Sequence, residues 1–243
     1  MAQRGRLPRQ APPVRSPGAA GTPTAGTITA IEPQRRRGGR RFNVYVDGEF
    51  AFSLDASLAA RLRLDQEVDA AALAALAAAD ERARALDAAY TFLSYRPRSA
   101  REVEQRLQQK GYSPAAIAST RERLDRFRLV DDTTFARYWV EQRQAYNPRG
   151  RTALRAELRA KGVGAAEIAA ALPEGDEGAA AYQAGLRRLR SLGKLDHLTF
   201  RQRMGAYLQR RGFSYGASAA AVERLWAEAG ATAAPADDAS SAP

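Results

Sequence analysis

Residues Ser99–Tyr112 read SAREVEQRLQQKGY, one short helix with a marked start and stop. Ser99 and Glu102 have capping-box spacing, so each side chain satisfies a free backbone N–H at the helix start. Val103 and Leu107 are four apart and share a face. Gly111 offers the left-handed residue that ends a helix, and Tyr112 the apolar side chain that packs back over the stop. The pattern returns at Arg151–Val163, RTALRAELRAKGV, and at Gln202–Phe213, QRMGAYLQRRGF. Leu107, Leu158 and Leu208 correspond, as do Lys110, Lys161 and Arg211, then Gly111, Gly162 and Gly212, then Tyr112, Val163 and Phe213. The glycines lie 51 and 50 residues apart. A period near 50 residues built from short helices predicts a helical repeat array.

Each repeat holds two more helices around this unit. Asp80–Tyr95 precedes the first copy, with Leu86, Tyr90 and Leu93 on one stripe, and an alanine-rich helix over Asp69–Ala79 can run on into it. Ser113-Pro114 starts the third helix, with Ser at the cap and Pro in the first turn. Asp131-Asp132 caps an aromatic helix carrying Phe135, Tyr138 and Trp139, which Asn147-Pro148-Arg149-Gly150 breaks. The expected organisation is a tail over residues 1–26, an N-terminal subdomain over 27–79, repeats over 80–130, 131–173 and 174–229, and a tail over 230–243. The proline-rich start and the Ala/Asp/Ser-rich end read as disordered. Between Phe42 and Leu54, the Asp47-Gly48 pair among alternating apolar residues predicts a β-hairpin. A three-residue loop, Val46-Asp47-Gly48, is favoured over a two-residue turn because it pairs Val44 with Phe50 and Phe42 with Phe52 on one face. Thr27–Ile31 is a candidate third strand, since a hairpin alone is marginal. The LRLDQEV stretch reads as a turn. The fold class is therefore mainly α, a tandem array of three three-helix repeats in an elongated solenoid behind a small β-hairpin subdomain.

The chain has 243 residues, no cysteine and a formal charge of +11. Absent cysteine excludes disulfides and thiolate metal sites and fits a reducing cytoplasm. No run approaches the roughly 18 apolar residues of a membrane span. The charge is uneven: residues 1–41 carry nine Arg against one Glu, and residues 88–172 sixteen basic against nine acidic side chains. Such basicity suits a polyanionic partner, nucleic acid or a nucleoprotein.

Catalytic patterns are missing. There is no phosphate-binding glycine loop, the single His197 falls in an expected loop, and no nucleophile stands with a base. A non-enzyme without cofactor or metal is expected. The binding candidates are basic. Arg151, Arg155 and Arg159 recur every four residues, as a ridge on one helix face would, and Lys161 continues it. Arg98, Arg101 and Lys110 in the first repeat, Arg143 and Arg149 in the second, and Arg210 and Arg211 in the third extend the set. Stacked repeats would present them in a row able to track a phosphate backbone or an acidic groove. The repeat leucines, glycines and Tyr112, Val163 and Phe213 are expected to be structural.

From about Thr27 to Trp226 the sequence resembles the RecX family, the bacterial regulators of the RecA recombinase. The resemblance rests on RFNVYVDGEFAFSL, SAREVEQRLQQKGY, LVDDTTFARYWVEQR, the NPRG…LRAELRAKGV unit and LQRRGFSY. It implies a curved array that docks along the groove of the RecA filament on single-stranded DNA; a monomer is the expected state. It further implies inhibition of strand exchange and ATP hydrolysis, within DNA repair, recombination and the SOS response. A nucleic-acid-binding repeat protein without a recombinase partner, and a plain helical scaffold, remain open beside it. One departure stands out: the third repeat has Ser218 where the first two have Ile117 and Ile168, with Val222 or Leu225 available to take over the packing.

Overall fold

The hairpin turns on two residues. The computed structural model describes residues 25–34, 41–172, 174–175, 177–192 and 195–233, the last four by backbone alone. Most of the expected tails, and 35–40 of the basic loop, lie outside these. Asp47 and Gly48 both take positive φ, 49° and 83°, the pairing a two-residue hairpin turn needs. Val46 faces Glu49, which corrects the expected three-residue loop. The expected partners shift accordingly: a bulge moves the register between Val44 and Tyr45, so that Tyr45 faces Phe50, Val44 faces Phe52 and Phe42 faces Leu54. The turn is held by neighbours that the hairpin argument left out. Thr27 N donates to Asp47 Oδ1 at 2.9 Å, and Gly48 N to Thr29 Oγ1 at 2.9 Å.

Strand β1 (Gly26–Pro33) thus joins β2 (Arg41–Val46) and β3 (Glu49–Asp55), all antiparallel. After α1 (Ala56–Ala59), capped by Asp55, a fourth strand β4 (Glu67–Val68) pairs with β1 inside the stretch expected as a turn. The sheet order is β3-β2-β1-β4. Ile28, Val44, Val46 and Leu54 are fully buried and pack with Leu73 of the next helix.

That helix, α2 (Ala70–Leu93), is continuous across 79–80, where the first repeat was expected to begin. Alanine's helix propensity carries it through, with no Gly or Pro to stop it. Its buried face is also not the expected one. Ala85 and Ala89 are buried while Tyr90 is exposed, because small side chains let neighbours approach. Asp80 is buried on α2 and accepts from both terminal nitrogens of the Arg41 guanidinium, at 3.1 and 2.9 Å, as well as from Asp55 N at 3.0 Å. This ties the sheet to the helix.

The remaining helices are α3 (Ala100–Gln109), α4 (Pro114–Arg126), α5 (Asp132–Tyr146), α6 (Arg151–Ala160), α7 (Ala165–Ala171), α8 (Gly178–Leu192), α9 (His197–Arg210) and α10 (Tyr215–Ala233). Two compact units result: residues to Thr91 with Leu107–Glu122, and Phe92–Arg106 with the chain from Arg123. In the first, Glu81 of α2 accepts both Ser113 N (2.8 Å) and Ser113 Oγ (2.7 Å) at the start of α4. In the second, Phe135, Val140, Leu154, Leu158, Val163 and Ile168 form the core of α5–α7. Phe200, Met204, Leu208, Phe213, Val222 and Leu225 lie in that of α8–α10. His197 opens α9 rather than lying in a loop, with its ring 4.9 Å from that of Trp226. Asp196 caps the same helix, accepting from Thr199 N at 3.0 Å. At its far end α10 runs to Ala233, past the expected start of the tail at Gly230, since its alanines continue the helix.

Candidate functional site

The capping box at Ser99 forms as spaced: Glu102 N donates to Ser99 Oγ at 3.1 Å and Ser99 N to Glu102 Oε2 at 3.3 Å. It also receives the end of the next repeat's middle helix. Ser99 Oγ donates to the Lys161 carbonyl at 2.7 Å, and Lys161 Nζ donates to Glu102 Oε1 at 2.6 Å. Arg96 joins the same carboxylate at 3.0 Å. Burial pushes the Glu102 carboxyl up, but the hydrogen bonds and charges of Arg96 and Lys161 outweigh it and hold it below the usual glutamate value. The Lys161 ammonium sits 4.1 Å from the centre of the Trp139 ring, with the Arg143 guanidinium carbon 4.5 Å from it. This is favourable cation–π geometry on a partly dry face. Trp139 Nε1 and Arg143 both donate to Glu157.

The third repeat meets the second in the same way. Gly150 N donates to the Arg211 carbonyl at 3.0 Å, and Thr152 N to the Gly212 carbonyl at 3.3 Å. The Arg211 guanidinium folds back on the Pro148 carbonyl, the Tyr207 hydroxyl and Asn147 Oδ1. In each case a helix C-terminus meets the N-terminus of its counterpart in the preceding repeat: the Lys161 carbonyl takes the Ser99 hydroxyl at the first junction, and the Arg211 and Gly212 carbonyls take free N–H groups at the second. Carboxylates from the following repeat finish these starts. Asp132 accepts from Ala100 N at 2.9 Å. Glu177 accepts from Arg151 N and, at 3.1 Å, from Ser214 N.

The basic candidates therefore divide. Arg98, Arg143, Arg149, Lys161 and Arg211 are engaged within the protein. Arg98 lies over the Phe92 ring at 3.9 Å, where burial lowers the basicity of its guanidinium, and Arg149 stands 3.6 Å from Glu157. Arg101, Lys110, Arg155, Arg159 and Arg210 are exposed and form no ion pair among the described residues, and Arg151 is half-buried. Counted from the repeat leucines, Arg155 and Arg159 correspond to Glu104 and Gln108 in the first repeat and to Gly205 and Gln209 in the third. The exposed ridge is thus a property of α6 alone. What recurs through the chain is the basic residue before the glycine, and in two of three copies it closes a junction. Residue-type recurrence could not separate these roles. The carboxylates that do so, Glu102, Glu157 and Glu177, carried no signal beyond cap spacing.

A sheet followed by three-helix repeats joined by helix ends defines a helical repeat protein, and no helix among the described residues is long and apolar enough to cross a membrane. The chain matches the regulatory protein RecX N-terminal domain over residues 26–69. It matches the first, second and third three-helix domains of RecX over 85–124, 131–172 and 176–222. Regulatory protein RecX of Bacillus subtilis is 34% identical over 203 residues, 82% of this chain and 76% of the relative. Its counterpart from Lactobacillus johnsonii is 31% identical over 204 residues, 82% and 74% of the two chains. A crystal structure of regulatory protein RecX superposes with a TM-score of 0.61 at 26% identity, covering 84% of this chain and 99% of the other. That of RecX from Lactobacillus salivarius, at 21% identity, shares the fold with a TM-score of 0.53 over 60% and 97%. The chain belongs to the RecX family. The relatives are named as regulatory proteins rather than enzymes.

Proposed function

We propose that this protein is a cytoplasmic regulator, in the inhibitory sense, of the RecA recombinase in DNA repair and recombination. It binds along the groove of the filament that RecA forms on single-stranded DNA. The observation that carries the reading is the pair Arg155 and Arg159 on α6, exposed and without an ion pair among the described residues, in a member of a family named for regulation. Arginines without an internal partner are available to phosphate, and neutralising phosphates releases counterions. Lys161 and Arg211, spent on junctions, are assigned no part in binding. Arg101, Lys110 and Arg210 extend the exposed basic surface.

The test is binding to a labelled oligonucleotide, bare or coated with RecA and a slowly hydrolysed nucleotide. The coated strand should bind the wild-type chain more tightly than the bare one, and the complex should weaken as salt rises. Arg155→Glu with Arg159→Glu should weaken binding at least tenfold with a shallower salt slope, and lose inhibition in parallel. Equal affinity for bare and coated strands would favour a nucleic-acid binder that acts without a recombinase.

A further inference from the structure

Ser218 points to a second binding feature. The matching positions in the other repeats hold Ile117 and Ile168, both buried in their helices. Ser218 is buried as deeply, at 1% exposure, yet its hydroxyl has no hydrogen-bond partner among the described residues. Val222 and Leu225 supply the core packing beside it, as the sequence allows. The smaller side chain leaves space on the outer side. There a groove of about 340 Å³ runs between α9 and α10, with Gly205, Ala206, Ser218 and Ala219 among its lining residues. Leu198 and Tyr215 also line it, and they are 65% and 73% exposed. Two large apolar side chains left in water beside a slot of small residues mark a surface that another molecule covers. A buried hydroxyl without a partner is rare in folded proteins and is satisfied when a ligand brings one.

We infer that this groove docks a segment of a protein partner, which inserts one apolar side chain between Leu198 and Tyr215 and hydrogen-bonds Ser218. An acidic residue beside that anchor meets Arg201, which is the one charged residue lining the groove. Arg201 stands 3.7 Å from Glu223 in a solvated pair, more than half exposed on both sides, which a partner's carboxylate exchanges at little cost. Nucleic acid fits less well. A strand is tracked by a row of cations, and here there is one, whereas the ridge at Arg155 and Arg159 offers two on adjacent turns. The inference rests on the reading that the chain acts on a recombinase filament. It divides the work: phosphate contacts go to the second repeat and the recombinase's own side chain to the third.

Two variants test it. Ser218→Ile gives the third repeat the residue that the other two carry and fills the groove. Leu198→Ser with Tyr215→Ser strips the exposed rims and leaves the core untouched, so it decides the matter if Ser218→Ile fails to fold by circular dichroism. Each is measured against the labelled oligonucleotide bare and RecA-coated. Affinity for the coated strand should fall at least tenfold, and affinity for the bare strand should stay within twofold of wild type. Unchanged affinity for the coated strand would overturn the inference. So would a parallel loss on the bare strand, which would make the groove a nucleic-acid site. A wild-type chain that gains nothing from RecA would remove the recombinase reading itself and this inference with it, a result seen before any variant is made.

Discussion

The two repeat junctions solve one geometric problem with different chemistry. At the first, charged side chains do much of the joining: Lys161 and Arg96 converge on Glu102, beneath Trp139. At the second, backbone groups meet directly as well: Gly150 and Thr152 donate N–H groups to the Arg211 and Gly212 carbonyls. The glycines show the same difference. Gly111, Gly162 and Gly212 all have φ between 81° and 85°. A Cβ on Gly212 would meet backbone, 2.4 Å from Ala153 N, and one on Gly162 would meet the Arg101 side chain at 2.6 Å. At Gly111 nothing lies within 4 Å. The motif is one in sequence, but only two copies bear a junction, and one of those two lacks side chains that could yield.

The widest separation should come from the glycines. Gly212→Val combines left-handed strain with a backbone collision and should cost about 3–5 kcal/mol or prevent folding of the third repeat. Gly111→Val meets only the strain and should cost about 1–2 kcal/mol. Urea unfolding of both variants measures the gap, and equal losses would mean that the close approach at Gly212 contributes nothing.

Breaking the charged junction should have the next largest effect. Glu102→Gln should lose about 2 kcal/mol at neutral pH, the scale of hydrogen bonds to charged groups. Its pH dependence sharpens the point. The folded-state value of Glu102 is held below its ordinary one, so its contribution is fully present above the unfolded pKa, about 4.3. It is lost as pH falls through the folded value. The gap between wild type and Glu102→Gln should therefore close on acidification below about pH 4.3. The Gly212→Val deficit comes from backbone strain and a steric collision, neither of which titrates, so that variant should keep its deficit throughout. Melting curves across pH 3–7 distinguish the two patterns.

Glu177→Ala comes next. It frees two helix starts at once, those of α6 and α10. Losing caps costs about 1 kcal/mol each, so the calorimetric loss should exceed that of Asp196→Ala, which frees one. Smallest of all, Arg155→Ala with Arg159→Ala should shift stability by less than about 0.5 kcal/mol, as exposed substitutions do. Those residues take part in neither junction.

Much of the fold is legible in the sequence because helix boundaries are written locally. Ser99 with Glu102, Asp131 before α5, and the three glycines each need only their own turn to be read. The hairpin register was not local. Thr27 and Thr29 hold the Asp47-Gly48 turn from a strand about twenty residues away, and the bulge absorbs the mismatch. The buried face of α2 failed for a related reason: hydropathy favours Leu86 and Tyr90, while close packing uses Ala85 and Ala89. Among the basic residues, spacing found the exposed ridge but could not tell it from Lys161 and Arg211. That distinction depends on a carboxylate 59 residues and a carbonyl 63 residues away.

The start of α9 differs from that of α6 in what it asks of its neighbours. Helix α6 begins on Gly150, which has no side-chain cap, and takes a carboxylate from the next repeat. Helix α9 begins on Asp196, which caps its own first turn. During synthesis the start of α6 is therefore left unfinished until the chain has grown past Glu177, whereas that of α9 is completed by its own first turn.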